Sequence, residues 1–71
     1  MKVTAEDMCK KFNSDYFVGQ PVWLELDNGE RVETYLFTEA WVIGGHTAIA
    51  KTEAKNGAYD IRRIFHRMAD C

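Results

Sequence analysis

The sequence has few of the residues that stabilise small secreted or metal-binding domains, and it has no long apolar segment. It contains two cysteines, two histidines and one proline among 71 residues. No run of 18 apolar residues is present, and the opening MKVTAEDMCKKF is charged where a signal peptide requires an apolar core. These absences predict a cytoplasmic protein with no membrane contact, in which Cys9 and Cys71 are reduced rather than joined in a disulfide.

No residue pattern typical of catalysis or of cofactor binding is present. His46 and His66 have no paired ligands nearby, so a zinc site would require both cysteines to join both histidines from distant parts of the chain. The Gly-Gly-His segment 44–46 lacks the spacing of a phosphate-binding loop. We therefore predict that the protein is not an enzyme and that it has no metal and no cofactor.

What the sequence does contain is enough apolar material for one folded domain. Hydrophobic residues make up 46% of the chain and aromatic residues 13%, which argues against disorder. A chain of this length buries only ~60% of the surface that its unfolded form exposes. We predict a single domain over residues 1–71 with modest stability.

The charges are distributed unevenly although the net charge is only −2. Residues 1–40 contain four basic and eight acidic side chains, whereas residues 41–71 contain five basic and three acidic ones. The first half is therefore acidic and the second half is basic. This asymmetry provides two candidate binding surfaces of opposite charge.

A helix is predicted near the start of the chain. Thr4 has the character of an N-cap, and Asp7 follows at the position of a capping box. Apolar residues then recur at the spacing of one helical face, at Ala5, Met8, Cys9 and Phe12. The predicted helix runs from about Thr4 to Asn13.

Patterns typical of β-strands begin after the single proline, Pro21. Residues 22–27 alternate with period two, which predicts that the aliphatic set faces the core, namely Val22, Leu24 and Leu26. Asn28 and Gly29 predict a two-residue type I′ hairpin turn. The strand that returns from Glu30 is partly apolar on both faces, which predicts a bend or bulge.

The second half of the chain continues with short strands. We predict a buried run over 41–43, a turn at the two glycines that follow, a strand over 47–52 with Ile49 pointing inward, and a hairpin turn at Asn56 and Gly57. Ile61, Ile64, Phe65 and Met68 have helical spacing. A strand that ends near Arg62 and is followed by a helical turn satisfies both patterns.

These elements predict an α+β fold. An N-terminal helix precedes a strongly curved antiparallel sheet of about four strands, for which an SH3-like small barrel is one arrangement, and a short helical turn ends the chain. The strand order does not follow from the sequence.

Binding to another protein is the function that these patterns favour most. The acidic hairpin would meet a basic surface, with two aromatic side chains supplying contact area. The predicted partner-binding residues are Trp23, Glu25, Asp27, Glu30, Glu33 and Tyr35. In size, charge and lack of catalytic motifs the chain resembles the small inhibitors carried by bacteriophages and mobile elements, including anti-CRISPR proteins. That resemblance implies that it occupies a partner surface, often one that binds nucleic acid.

Two alternatives remain open at this stage. In the first, a basic surface binds a nucleic-acid backbone through Lys51, Lys55, Arg62, Arg63 and Arg67. In the second, the protein is a homodimeric subunit whose exposed aromatic residues bury against a second copy.

Overall fold

The computed structural model describes residues 3–68, which form one helix and two small three-stranded antiparallel sheets. In chain order the elements are α1 (Ala5–Asp15), β1 (Pro21–Glu25), β2 (Arg31–Tyr35), β3 (Trp41–Ile43), β4 (Thr47–Lys51), β5 (Ala58–Asp60) and β6 (Ile64–His66). A short 3-10 helix, Ile61–Arg63, separates the last two strands. The sheets have the strand orders β2-β1-β6 and β3-β4-β5. The predicted α+β class is confirmed.

The strands are divided between two sheets where the sequence predicted one. Neither sheet is closed or strongly curved, so the barrel is not confirmed. The chain changes sheets just after β2, because Leu36 forms an isolated bridge with Thr52 beyond the end of β4. The Phe37 N–H then donates to the Lys51 carbonyl at 2.9 Å. The apolar residues on both faces of this segment thus lie where the chain passes from one sheet to the other.

The helix begins as its capping signal predicts. The Thr4 side chain accepts from the Asp7 N–H at 3.1 Å, and the Asp7 carboxylate accepts from the Thr4 N–H at 3.4 Å, which completes a capping box. The helix continues to Asp15, beyond the predicted end at Asn13. Asn13 does not terminate the helix because its side chain bonds to the backbone of Ala40 instead.

The core lies under α1 and along β1, with Val22 and Leu24 fully buried as predicted. In β4, however, Ala48 and Ala50 are buried and Ile49 is only half-buried, so the predicted orientation of this strand is wrong. Small residues face inward there because α1 packs directly against β3 and β4. The predicted buried run over 41–43 is also wrong, since the first and last of its side chains are exposed.

Both predicted Asn-Gly hairpin turns have different geometry. Gly29 has a φ of 88°, but no described non-glycine residue has a positive φ, so Asn28 is not in a type I′ turn. The Gly29 N–H donates to the Leu26 carbonyl at 2.9 Å, and the loop spans three residues between paired Leu26 and Glu30. The second hairpin has no tight turn, because residues 52–57 separate β4 from β5.

The C-terminal segment is a strand where a helical turn was predicted. The helical residues come earlier, at Ile61–Arg63, and β6 then pairs antiparallel with β1. Pairing with an open edge of β1 places Ile64 in the core opposite Leu24 and turns Phe65 to the other face. Met68, predicted to complete the helical stripe, is 90% exposed.

Candidate functional site

The outward face of the β2-β1-β6 sheet brings aromatic and charged side chains together. Register places Trp23 opposite Glu33 on β2 and opposite Phe65 on β6. Because alternate residues of β1 fill the core, these side chains point away from it. We call this surface the Trp23 face and define it by Pro21, Trp23, Glu25, Arg31, Glu33, Tyr35 and Phe65.

The structure places four of the six predicted partner-binding residues on this one face. They are Trp23, Glu25, Glu33 and Tyr35. The other two, Asp27 and Glu30, lie in the loop between β1 and β2. Asp27 is almost fully solvent-accessible, with 92% of its side chain exposed. The predicted acidic residues therefore occupy the face and the loop at its end.

Arginines compensate most of the acidic charge of this region. Three pairs contribute, Glu25 with Arg31 at 3.3 Å, Glu33 with Arg67 at 3.3 Å and Asp27 with Arg63 at 3.2 Å. Two of these arginines belong to the alternative basic surface that the sequence predicted. The two surfaces of opposite charge are therefore not independent, because strand β6 brings the basic segment against the acidic hairpin.

Two arginines also contact aromatic rings, but they differ in how firmly they are held. Arg31 lies with its Cζ atom 4.1 Å from the ring centroid of Phe65, and about half of its side chain is exposed. Arg67 lies 5.1 Å from the Tyr35 ring and is only 14% exposed. Its guanidinium also donates to the carbonyls of Val22 and Thr34 at 3.2 and 2.8 Å. Arg67 is therefore part of the framework, whereas Arg31 is accessible.

The remaining residues of the alternative basic surface lie in different surroundings. Arg62 forms a two-point pair with Asp60, through Nε at 3.1 Å and Nη2 at 2.8 Å. Lys51 and Lys55 line a shallow cleft of about 610 Å³ together with Phe37. The three arginines of the alternative basic surface are thus each already bound to a carboxylate, namely Arg62, Arg63 and Arg67.

Three titratable groups have shifted pKa values with clear structural causes, namely Tyr16 and the paired Asp60 and Arg62. The hydrogen bonds from Arg62 hold the pKa of Asp60 below its ordinary value. Burial raises the pKa of Tyr16, and the nearby Asp15 charge adds to the effect. The Tyr16 ring stacks between Phe12 and His66, with centroids 4.1 and 3.9 Å away. Tyr16 thus packs between two neighbouring rings, and Asp60 caps the 3-10 helix.

The residues that a zinc site would have required are not brought together in the part of the chain that is described. Among residues 3–68, no group of three or more His, Cys, Asp or Glu side chains is placed to hold a metal ion. His46 lies in the β3–β4 turn and His66 on β6. Cys71 lies outside the described residues, so its predicted reduced state stays a prediction.

Sequence reasoning missed three residues of the Trp23 face, namely Pro21, Arg31 and Phe65. Arg31 has the same strand parity as Glu33 and Tyr35, so the alternation of β2 could have placed it there. Phe65 was assigned to a helical stripe, and no local signal shows that it pairs with Trp23. That contact depends on β6 joining the far edge of β1.

Comparisons with known protein families, with curated proteins and with solved structures found no match to this chain. Across residues 3–68, no helix combines the length and the apolar character that crossing a bilayer requires. A function is therefore inferred from the side chains of the chain itself.

Proposed function

We propose that the protein is a non-enzymatic binding module that holds a partner protein on the Trp23 face. The observation that carries this proposal is the cross-strand row Glu33, Trp23 and Phe65, with an exposed Tyr35 beside it. Aromatic side chains at the centre of a charged rim are typical of binding hot spots. A rigid antiparallel sheet presents these rings without the ordering cost of a mobile loop.

A basic partner surface fits this face best. Four acidic side chains lie on the face and its end loop, and three arginines pair with three of them. Glu30 is the fourth, and it accepts a hydrogen bond from the neutral Asn28 amide at 2.7 Å. The remaining acidic excess favours an approaching cationic surface. If that surface also binds nucleic acid, the protein would act as an inhibitor, as the resemblance to phage and mobile-element inhibitors implies.

Self-association is a second candidate, and a different surface favours it. The outward face of the β3-β4-β5 sheet exposes Trp41 and Ile43, with Phe37 exposed just before it. Exposed apolar residues of this kind can bury against a second copy. Light scattering over a concentration series, with Trp41→Ser as the variant, would detect a dimer and its loss.

The partner-binding proposal is tested by quantitative affinity capture from the source cells. The variants are Trp23→Ser, Tyr35→Ser and the double charge reversal Glu25→Lys with Glu33→Lys. Phe17→Ser is the matched control, because Phe17 is an exposed ring between α1 and β1, outside both candidate surfaces. We expect one protein to be depleted by the three Trp23-face changes and retained by the control. Retention by every variant, with the fold intact by circular dichroism, would refute the proposal.

A further inference from the structure

We propose that the Trp23 face contains a guanidinium-binding position, formed by Glu25 and Phe65 and occupied within the chain by Arg31. The inference rests on the proposed partner binding and specifies its chemistry. An arginine side chain of the partner replaces Arg31 at this position. Arg31 thereby acts as an internal competitor that the partner displaces.

The present occupant shows what the position accepts. The Arg31 Nε donates to a Glu25 carboxylate oxygen at 3.3 Å, while its Cζ lies 4.1 Å from the Phe65 ring centroid. A carboxylate at the edge and an aromatic ring at the face are the two partners that a planar guanidinium binds best. The position is therefore chemically matched to arginine.

The contacts of Arg31 are weak enough to exchange. It makes one contact to Glu25 at 3.3 Å, and both side chains are more than a third exposed. Exposed pairs of this kind contribute little to stability because water and salt screen them. Arg67 offers the contrast, since it is 14% exposed and donates to two backbone carbonyls as well as to Glu33. Of these two arginines, Arg31 is therefore the one that can be displaced without disturbing the sheet.

An incoming arginine gains contacts that Arg31 lacks. Arg31 reaches Glu25 from the neighbouring strand and engages it through Nε alone. A side chain that arrives from solvent is free to approach Glu25 with two N–H groups in parallel. Trp23 lies between Glu33 and Phe65 in the cross-strand row and provides a further ring beside the position. Lysine would satisfy the carboxylate but cannot stack as a plane, so arginine is favoured over lysine.

The test is a titration of the whole protein with nona-arginine and, separately, with nona-lysine. Binding is followed by amide and indole N–H shifts in two-dimensional NMR spectra. The key variant is Arg31→Gln, which vacates the position. The matched control is Arg62→Gln, which also removes one exposed cation from a carboxylate partner, Asp60. A third variant, Glu25→Gln, removes the carboxylate of the position.

We expect nona-arginine to shift the indole N–H of Trp23 and the amides around Phe65. Arg31→Gln should tighten nona-arginine binding about three- to tenfold, and Arg62→Gln by less than about twofold. Glu25→Gln should weaken it, and nona-lysine should bind less tightly than nona-arginine. Equal effects of Arg31→Gln and Arg62→Gln would overturn the inference, because net charge alone would then explain both. Equal affinity for the two peptides would overturn it as well.

Failure of this inference can be told apart from failure of the proposed function. If Trp23→Ser abolishes partner capture while Arg31→Gln leaves partner affinity unchanged, the guanidinium exchange is refuted and the binding face stands. If Trp23→Ser, Tyr35→Ser and the double variant Glu25→Lys with Glu33→Lys all retain the partner, the proposed function is refuted. The peptide titration then still decides whether the position itself selects arginine.

Discussion

Asn13 pairs through its side-chain amide with both backbone polar groups of Ala40. Its Oδ1 accepts the Ala40 N–H at 2.8 Å and its Nδ2 donates to the Ala40 carbonyl at 3.1 Å. Ala40 directly precedes β3, an edge strand of its sheet. The amide offers one acceptor and one donor, so it takes the place of a neighbouring strand at this edge. One helix side chain thus joins α1 to the second sheet.

Replacing Asn13 by alanine should therefore destabilise the fold. The change leaves the buried Ala40 N–H without a partner and leaves the Ala40 carbonyl with only the weak Cys9 thiol donor at 3.1 Å. We expect the free energy of unfolding to fall by about 1–3 kcal/mol. Asn13→Asp should be at least as harmful, because it keeps an acceptor but loses the donor and places a charge near a carbonyl oxygen. Urea denaturation measures both. Lys10→Ala, at an exposed position of the same helix, is the control and should change the stability little. If Asn13→Ala changed the stability as little as Lys10→Ala does, this account would be contradicted.

The Arg67 side chain should be required for stability. It connects β6 to the other two strands of its sheet through Val22, Thr34 and Glu33. We expect Arg67→Ala to cost about 1–3 kcal/mol, because it removes charge-assisted hydrogen bonds to two backbone carbonyls together with the pair to Glu33. Arg67→Lys should recover only part of this, since an ammonium lacks the planar array of donors. Thermal unfolding monitored by circular dichroism gives the comparison with Arg62→Lys, which changes an exposed arginine; equal losses at both positions would argue against a framework role for Arg67.

The helix and strand β1 could be predicted because their signals are local. Thr4 and Asp7 form the capping box that their spacing predicted. Val22 and Leu24 are buried as period two required. In both cases the information lies within a few residues, and the tertiary structure preserves it.

The second half of the chain depended on contacts that the sequence does not reveal. Period two identifies β4 as a strand, but the close packing of α1 decides that Ala48 and Ala50, rather than Ile49, face inward. The helical spacing of Ile61, Ile64 and Phe65 is compatible with a strand as well. Pairing with β1 makes residues 64–66 a strand, β6, rather than a helical turn.

In the candidate site, too, the residues placed by local alternation could be predicted, whereas the contacts made by strand pairing could not. Alternation in β1 and β2 placed Trp23, Glu33 and Tyr35 on one face, as the register has them. The compensation of the acidic residues could not be foreseen, because Arg63 and Arg67 reach the hairpin only after β6 has paired with β1.

The Asp60–Arg62 pair should make stability depend on pH in the acidic range. Arg62 holds the pKa of Asp60 below its ordinary value of 3.8. A carboxylate with a lowered pKa stabilises the fold above the unfolded-state pKa, and this contribution is lost as the pH falls through the folded-state pKa. We expect Asp60→Asn to cost less than about 1 kcal/mol at neutral pH, since its partner Arg62 is 74% exposed and solvent screens the pair.

The difference in the free energy of unfolding between wild type and Asp60→Asn should shrink as the pH falls through the folded-state pKa of Asp60. Urea denaturation at neutral pH and at successively more acidic pH values measures it. Asn can still accept the Arg62 N–H that caps the 3-10 helix, so the comparison isolates the charge. A gap that stays constant down to the most acidic pH at which both proteins fold would contradict the assignment to ionisation.

Generic DNA or RNA should not bind usefully near physiological salt. Arg62, Arg63 and Arg67 each face a carboxylate at 2.8–3.3 Å, so a phosphate must displace that carboxylate before it is neutralised. Acidic side chains on the same small body also repel a polyanion within a Debye length of ~10 Å. If about three phosphates were nevertheless neutralised, log K would fall with log salt at a slope of roughly −3 for duplex DNA.

Fluorescence anisotropy with a labelled duplex and a labelled single strand, at low and at physiological ionic strength, measures this. We expect weak binding at low salt and none tighter than about 10 μM near 0.15 M salt. The control is Lys10→Glu, which reverses one exposed cation away from the basic segment. Micromolar binding at physiological salt that is lost in the double variant Arg62→Glu with Arg63→Glu, but kept in the control, would make nucleic acid the ligand. The basic segment, rather than the Trp23 face, would then be the functional surface.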